Sequence, residues 1–114
     1  MATEISQVTI RQGDTFSLRI YAKDYEGFPL DLTNYSARGQ VRERYSSTGV
    51  LLDLSPTVHA SFISGIVDVL VAGTGTANLP VSQLVWDVEA YTSNDAVVYK
   101  VGNGYLNVLP EVTR

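Results

Sequence analysis

Apolar and polar residues alternate along several short segments of the chain, as they do in β-strands that bury one face and expose the other. Residues 15–23 have this pattern most clearly, with four apolar positions separated by polar or charged ones. Residues 8–11 alternate in the same way and predict a short first strand. Residues 84–91 predict a long core strand, in which Trp86 anchors the hydrophobic interior.

Turn-forming residues separate these segments. Gln12-Gly13-Asp14 supplies a corner after the first strand. Residues 24–30 carry a second turn, because Gly27 can adopt a positive φ and Pro29 restricts the exit to an extended conformation. Residues 31–35 form a polar corner. The chain is therefore predicted to reverse direction sharply between short strands.

The middle of the chain contains the best hairpin candidate. Residues 58–63 and 66–71 are apolar-rich runs separated by Ser64-Gly65, which predicts a β-hairpin with a two-residue turn. Residues 72–80 are rich in glycine and threonine, so we interpret them as a crossover loop and not as a stable helix. No segment has the apolar spacing of a convincing amphipathic helix.

The C-terminal part of the sequence predicts two further strands, residues 97–101 and 105–109, separated by a break at residues 102–104 (Gly-Asn-Gly). The total of seven to nine short strands predicts an all-β, antiparallel, immunoglobulin-like β-sandwich. A small closed barrel is the structural alternative, since alternation alone does not distinguish two packed sheets from one rolled sheet.

Small residues, Ala37 and Gly39, line the inner face of the third predicted strand. We expect them to leave space for a large neighbour, Trp86. The outer face of this strand and of the residues after it carries three arginines: Arg38, Arg42 and Arg44. With Arg19 and Lys23 expected on a nearby strand, these side chains predict a local basic patch on an acidic protein.

The length of 114 residues suits one compact domain, which we predict to span residues 1–114 with termini that can be mobile. Apolar residues make up 45% of the composition and charged residues 18%, as in folded domains and unlike disordered chains. The net charge of −4 repels phosphate backbones and anionic lipids. Neither nucleic acid nor a membrane is therefore an expected partner.

Residues that carry chemistry are sparse. The chain has no cysteine, which excludes a thiolate nucleophile, and its single histidine, His59, has no flanking acid to make it a general base. The only close set of acidic side chains surrounds the first turn: Asp24, Glu26 and Asp31. These could converge on a calcium ion, but we interpret them as turn formers, and Asp87 and Glu89 as part of a solvated strand face. The sequence thus predicts a protein that is not an enzyme and binds no metal or cofactor.

Several motifs, taken in order along the chain, resemble those of a known structural family. They are residues 11–16, Asp24, Gly27, Pro29, residues 31–35 (Asp-Leu-Thr-Asn-Tyr), Val41-Arg42, Trp86-Asp87-Val88, residues 104–108 and residues 110–114. This order is similar to that of the small immunoglobulin-like β-sandwich domains of tailed-phage virions, found at the head-proximal end of baseplate and tail-fibre proteins. The resemblance covers nearly the whole chain and rests on turn and core positions.

The resemblance implies a non-enzymatic structural protein of a tailed-phage virion, assembled in the host cytoplasm. In fibre proteins a stalk or receptor-binding region usually follows such a domain, whereas this sequence ends at Arg114. We therefore expect docking onto other virion proteins, as a tail, baseplate or fibre-attachment component or a capsid decoration protein, with homo-oligomerisation in the particle. The residues expected at the protein contacts are Arg38, Arg42, Arg44, Tyr45, Glu111, Val112, Thr113 and Arg114.

A carbohydrate-binding module is the second hypothesis. The seven tyrosines of the chain are expected mostly at strand ends or on outer faces, where their rings could stack on sugars. Asp87 or Glu89 would then accept hydrogen bonds from sugar hydroxyls. This function requires a coplanar pair of aromatic rings beside polar groups.

Overall fold

The computed structural model of the protein describes the backbone of residues 4–111 and the side chains of residues 7–111. The strands in this part of the chain are β1 (Glu4–Arg11), β2 (Phe16–Tyr21), β3 (Ser36–Arg42), β4 (Leu52–Asp53), β5 (Thr57–Val58), β6 (Ile66–Val71), β7 (Gln83–Tyr91) and β8 (Val98–Leu109). A short helix, α1 (Gly73–Thr76), and two 3-10 turns, Phe62–Ser64 and Ser93–Asp95, complete the elements. No described helix is long and apolar enough to cross a membrane.

The strands form two sheets with a shared apolar core. A five-stranded sheet has the order β1-β8-β7-β3-β4, and a three-stranded sheet has the order β2-β6-β5. With β1 set aside, these orders correspond to the G-F-C-C′ and B-E-D strands of immunoglobulin sandwiches. The predicted all-β, immunoglobulin-like sandwich is thereby confirmed, and the alternative of a single rolled sheet is excluded.

The first strand departs from the expected antiparallel arrangement. β1 pairs in parallel with β8, from Glu4 opposite Gly102 to Arg11 opposite Leu109, whereas the other strand pairs of the described chain are antiparallel. The corner at residues 12–14 carries the chain from one sheet to the other, so β1 and β2 do not form a hairpin. β1 is also longer than predicted, because all eight of its residues stay in register with β8.

The inward residues of the alternating strands form the core. Ile20 and Val88 are fully buried and Trp86 is 2% exposed, as the alternation predicts. Gly39 does face the core, and the atoms nearest to a Cβ there would be Asp87 O, Val88 Cγ2 and Leu54 Cδ1. Val88 and Leu54 are therefore the side chains that first fill the space at Gly39, where the prediction named Trp86.

Gly102 is the small residue that accommodates Trp86. A Cβ atom at position 102 would lie 3.2 Å from two atoms of the Trp86 ring and 3.1 Å from Ile20 Cδ1. β8 continues as one strand through residues 102–104, with a shift of its register against β7 between Val88 and Glu89, so the break predicted there is wrong. Glycine at position 102 serves the packing of the core, and not a turn.

The hairpin predicted around Ser64-Gly65 has a different connection. β5 and β6 are antiparallel neighbours, but β5 contains only Thr57–Val58 before the chain leaves the sheet. The 3-10 turn Phe62–Ser64 and Gly65, at φ +70°, return it to β6. The cause is a contact with another segment, because the Phe62 carbonyl accepts a hydrogen bond from the Leu32 amide at 2.9 Å.

The predicted crossover loop between β6 and β7 contains the single helical turn α1, which packs on the corner between β1 and β2. Thr76 of α1 is fully buried, and its hydroxyl donates to the Asp14 carbonyl at 2.7 Å. The Gln12 side-chain amide donates to the Leu79 carbonyl at 2.7 Å. This end of the sandwich is therefore closed by contacts between two connecting segments.

Candidate interaction surfaces

The outer face of the five-stranded sheet contains arginines predicted as contact residues. Arg38 and Arg42 lie on β3, on the side of the sheet away from the buried Val41. Glu89 of β7 is directly opposite Arg38, and Asp87 lies two residues before Glu89 on the same strand. Acidic and basic side chains therefore alternate across this face, and it is not the uniformly basic patch that β3 alone predicts.

Arg38 has three partners within the molecule. Its Nε donates to Glu89 Oε1 at 2.9 Å, and its Nη2 donates to Asp95 Oδ2 at 3.1 Å. Its guanidinium carbon also lies 4.3 Å from the centre of the Tyr91 ring. The hydrogen bonds with Asp95 and then Glu89 raise the pKa of Arg38. An external partner would have to replace these contacts to use the guanidinium.

The other cations of this face are also paired. Arg42 donates to the Ser47 carbonyl at 2.6 Å and to Gln40 Oε1 at 2.8 Å. Lys100 of β8 donates to Asp87 Oδ2 at 2.9 Å, and this hydrogen bond raises the pKa of Lys100. Arg38 and Lys100 therefore form ion pairs on this face, whereas the hydrogen-bond partners of Arg42 are neutral oxygens.

Arg19 and Lys23 do not extend this face, contrary to the expectation from the sequence. Arg19 lies on β2 in the other sheet, where its Nε donates to Asp68 Oδ1 at 2.7 Å. Lys23 follows β2 and forms a backbone bridge with Pro29. The two cations therefore belong to a different part of the surface.

The remaining predicted contact residues are spread over the molecule. Arg44 and Tyr45 are exposed on the loop after β3. Tyr45 borders a depression of about 270 Å³, whose wall also includes Arg38, Gln40, Arg42, Asp87 and Glu89. The Glu111 carboxylate lies beside Gly13. Val112, Thr113 and Arg114 lie outside the described residues.

The acidic residues of the first turn shape the backbone. Asp24 Oδ1 accepts hydrogen bonds from the amides of Glu26 and Phe28 at 2.9 and 3.0 Å. Asp31 Oδ1 accepts from the Thr33 hydroxyl at 2.6 Å and from its amide at 2.9 Å, and these bonds lower the pKa of Asp31. Among the described residues, no three His, Cys, Asp or Glu side chains are grouped so that they could hold a metal ion.

The depressed pKa of Asp31 makes a testable contribution to acid stability. A carboxylate with a lowered pKa stabilises the fold above its unfolded pKa, and this stabilisation is lost as the pH falls through the folded pKa. We expect the urea midpoint of the wild type to fall more steeply between about pH 5 and pH 2 than that of Asp31→Asn. Glu26→Gln, which removes a nearby charge, is the control and should follow the wild type; parallel curves for all three proteins would contradict the assignment.

Two of the tyrosines form a stacked pair. The ring centres of Tyr35 and Tyr99 are 6.0 Å apart and their planes lie at 18°. Both rings are partly buried and pack against the core. Arg38 covers Tyr91. The stacked pair is therefore part of the packing, whereas Tyr21, Tyr25, Tyr45 and Tyr105 are the exposed tyrosines.

A second surface, which we call the apolar tip, lies at the end of the sandwich where β2 ends and β6 begins. Its large side chains are exposed to solvent: Tyr21 by 54%, Tyr25 by 86%, Phe28 by 62%, Phe62 by 46% and Ile63 by 70%. They come from residues 21–28 and from the 3-10 turn before β6. Exposed apolar clusters of this kind are typical of interaction sites.

Backbone hydrogen bonds join the two segments of the apolar tip. The Ala22 amide donates to the Gly65 carbonyl at 2.7 Å, and the Leu30 amide donates to the Ala22 carbonyl at 2.9 Å. The Leu32 amide donates to the Phe62 carbonyl at 2.9 Å. Leu32 itself is fully buried in the core. The exposed side chains therefore stand on a backbone that is attached to the body of the sandwich.

The turn that presents Tyr25 and Phe28 is closed at its base. The Asp24 amide donates to the Phe28 carbonyl at 2.9 Å, and the Gly27 amide donates to the Asp24 carbonyl at 3.1 Å. Gly27 has φ +88°, which its lack of a side chain permits. This local turn agrees with the one predicted from residues 24–30.

The apolar tip was not among the surfaces predicted from the sequence. The sequence pattern placed Phe62 and Ile63 in a strand, where one of the two would be buried, and it indicated Tyr25 only as one of several surface tyrosines. The available signal was the occurrence of Tyr25 and Phe28 within a turn, because turn residues are seldom buried. The proximity of Phe62 to that turn depends on the Leu32 hydrogen bond, which no local pattern reveals.

Comparisons with known proteins add the following findings. No protein-family model matches the sequence, and no curated protein matches it. Among solved structures, the chain is similar to part of a family 123 glycoside hydrolase from Clostridium perfringens, described in work on glycolipid glycan hydrolysis. The TM-score is 0.45 and the identity 10%, over 100% of this chain and 24% of that chain. The chain spans about a quarter of the length of that protein, and the likeness carries no functional argument.

Proposed function

We propose that the protein is a non-enzymatic structural component of a tailed-phage virion that works through protein–protein contacts. Its place is in the tail, baseplate or fibre attachment, or on the capsid as a decoration protein. The observation that carries the contact function is the apolar tip, where five of the fourteen exposed large apolar side chains of the described residues lie on two hydrogen-bonded segments.

The apolar tip supports a contact function on energetic grounds. Burying apolar surface contributes about 25 cal/mol per Å², and aromatic side chains are frequent among the residues that dominate binding energy. Because the backbone beneath Tyr25, Phe28 and Phe62 is hydrogen-bonded, little ordering entropy would be lost on docking. Covering these side chains with a partner surface would therefore lower the free energy of binding.

The virion setting is supported by the resemblance described from the sequence. The motif residues at 12–14 and 31–35 occupy corners of the sandwich, and Trp86 lies in its core. Particle symmetry repeats each contact many times, so a weak contact of one domain can hold the assembly. Other virion proteins, together with further copies of this chain in the particle, are the proposed partners, and assembly takes place in the host cytoplasm.

Purified phage particles provide the test. We expect quantitative mass spectrometry of particles from the source of this sequence to contain the protein in a copy number that matches the symmetry of the head or of the tail. Immunogold labelling of the same particles would distinguish these two locations. Consistent absence of the protein from infectious, density-purified particles would refute the proposed function.

A further inference from the structure

We propose that the apolar tip docks into an apolar pocket on a different virion protein, and that lysine or arginine side chains rim this pocket. The inference rests on the proposed function and adds the chemistry of the partner to it. Three properties of the apolar tip lead to it: its projecting aromatic side chains, its acidic rim and its rigid base.

The shape of the apolar tip requires a concave partner. Tyr25, at 86% exposure, is the most exposed large apolar side chain described, and it stands at the head of the turn closed by Asp24 and Phe28. Phe28 projects from the same turn, and Ile63 from the adjoining 3-10 turn. Projecting rings bind tightly when a pocket removes them from water on several sides. A flat surface would leave most of the area of Tyr25 in solvent.

The rim of the apolar tip is acidic. Residues 21–35 contain three carboxylates, Asp24, Glu26 and Asp31, against one lysine, Lys23. The adjoining residues 57–66 contain no Asp, Glu, Lys or Arg. Glu26 and Asp31 are exposed, so their charges are open to solvent on the segment that carries Tyr25 and Phe28. Complementary potential at the rim therefore requires basic side chains on the partner.

The same charges disfavour a second copy of this chain as the occupant. Two apolar tips placed against each other would bring both acidic rims together, and like charges across an interface are repulsive. The whole protein carries a net charge of −4, which adds long-range repulsion between copies. A different protein with a basic rim avoids both penalties.

Competitive incorporation into particles tests this inference. Tagged variants are supplied during assembly together with the wild-type chain, and the ratio of the two in purified particles gives the relative incorporation. We expect Tyr25→Ser combined with Phe28→Ser to reduce incorporation at least about tenfold, because it removes the projecting rings. Glu26→Lys should reduce it about three- to tenfold by reversing a rim charge.

Matched controls lie elsewhere on the surface. Leu70→Ser changes an exposed apolar residue on the outer face of the three-stranded sheet, and Glu43→Lys reverses an exposed charge on the loop after β3. Both controls should incorporate within about twofold of the wild type. The urea midpoint of each purified variant, expected to equal that of the wild type, verifies that the substitutions at these exposed sites leave the fold intact.

The outcomes separate the two proposals. If the wild-type chain is in the particles but the tip variants incorporate as well as the controls, the docking inference is wrong and the proposed function stands. If the wild-type chain is absent from particles, both are wrong. Light scattering of the isolated protein at rising concentration adds a further outcome: a dimer that Tyr25→Ser with Phe28→Ser abolishes would identify a second copy as the occupant and overturn the inference.

Discussion

Trp86→Ala is expected to lower the free energy of unfolding by about 3–5 kcal/mol, the range for truncating a buried aromatic side chain. Trp86 is 2% exposed and packs between β8, where Gly102 makes room for it, and Ile20 of the opposite sheet. The loss has two parts, because the transfer energy of the indole disappears and a cavity remains between two sheets that cannot easily collapse. Small domains are typically stable by only about 5–15 kcal/mol, so much of the margin would be lost.

Urea denaturation followed by circular dichroism measures this effect. Tyr105→Ala is the control, because Tyr105 lies on the outer face of β8 and is about half exposed. We expect its free energy of unfolding to change by less than about 1 kcal/mol. Equal losses for the two variants would show that Trp86 does not hold the core as described.

Gly65→Ala is the second substitution with a large expected effect, about 3–5 kcal/mol of lost stability. Gly65 has φ +70°, a conformation that is strained for residues with a side chain. Its environment is also filled, because a Cβ atom would collide with the Ala22 carbonyl oxygen and lie 2.9 Å from the Leu30 amide nitrogen. Relief of this collision would displace the hydrogen bond from the Ala22 amide to the Gly65 carbonyl.

Alanine substitutions at two other glycines distinguish the loss of stability caused by backbone strain from the loss caused by the atomic collision. Gly27 has φ +88° but no atom close to its missing Cβ, so Gly27→Ala should cost only the strain, about 1–2 kcal/mol. Gly49 has neither a positive φ nor a close neighbour, and Gly49→Ala should change stability by less than about 0.5 kcal/mol. Chemical denaturation of the three variants should give this order, and a Gly65→Ala loss no larger than that of Gly27→Ala would rule out the collision.

The Gly65 prediction also bears on function, because this residue supports the apolar tip. The Ala22 amide donates to the Gly65 carbonyl, and this hydrogen bond joins residues 21–35 to the segment that carries Phe62 and Ile63. Displacing that connection would separate the two groups of exposed side chains. If the protein has the proposed function, a Gly65→Ala variant that remains folded should therefore also be incorporated less well into particles, which gives a second readout of the same contact.

Local patterns predicted the elements that depend on local properties. Alternation located β2 and β7 within about two residues of their observed ends, since every second side chain of each strand packs in the core. The turn at residues 24–30 was predicted from Gly27 and Pro29, whose backbone preferences act within a few residues. The predictions that failed concern positions where distant segments meet.

Gly102 and Phe62 illustrate why local patterns failed. Glycine inside an extended run normally weakens a strand, but Trp86 of the neighbouring strand requires the space at position 102 and β8 remains continuous. Phe62 has the pattern of a strand residue, but its carbonyl is hydrogen-bonded to Leu32, thirty positions earlier in the chain. In each case the decisive partner lies far away in the sequence.

The charge pattern on the outer face of the five-stranded sheet also depends on residues that are far apart in the sequence. Arg38, Arg42 and Arg44 form a basic row when β3 is considered by itself. In the sheet, Arg38 meets Glu89 and Asp95, 51 and 57 residues further along the chain, and these carboxylates offset its positive charge. Which carboxylate meets which guanidinium depends on the register of β3 and β7, and alternation does not specify a register between strands.

The sequence by itself determined the all-β class, most of the strands, their inward faces and the sharp corners, because these follow from side-chain alternation and backbone preferences over a few residues. Only the tertiary structure decided that β1 lies parallel to β8, that Gly102 receives Trp86, that Arg38 pairs with Glu89, and that two separate segments form the apolar tip. These features depend on packing and hydrogen bonds between residues far apart in the chain, and local sequence patterns do not indicate such long-range contacts.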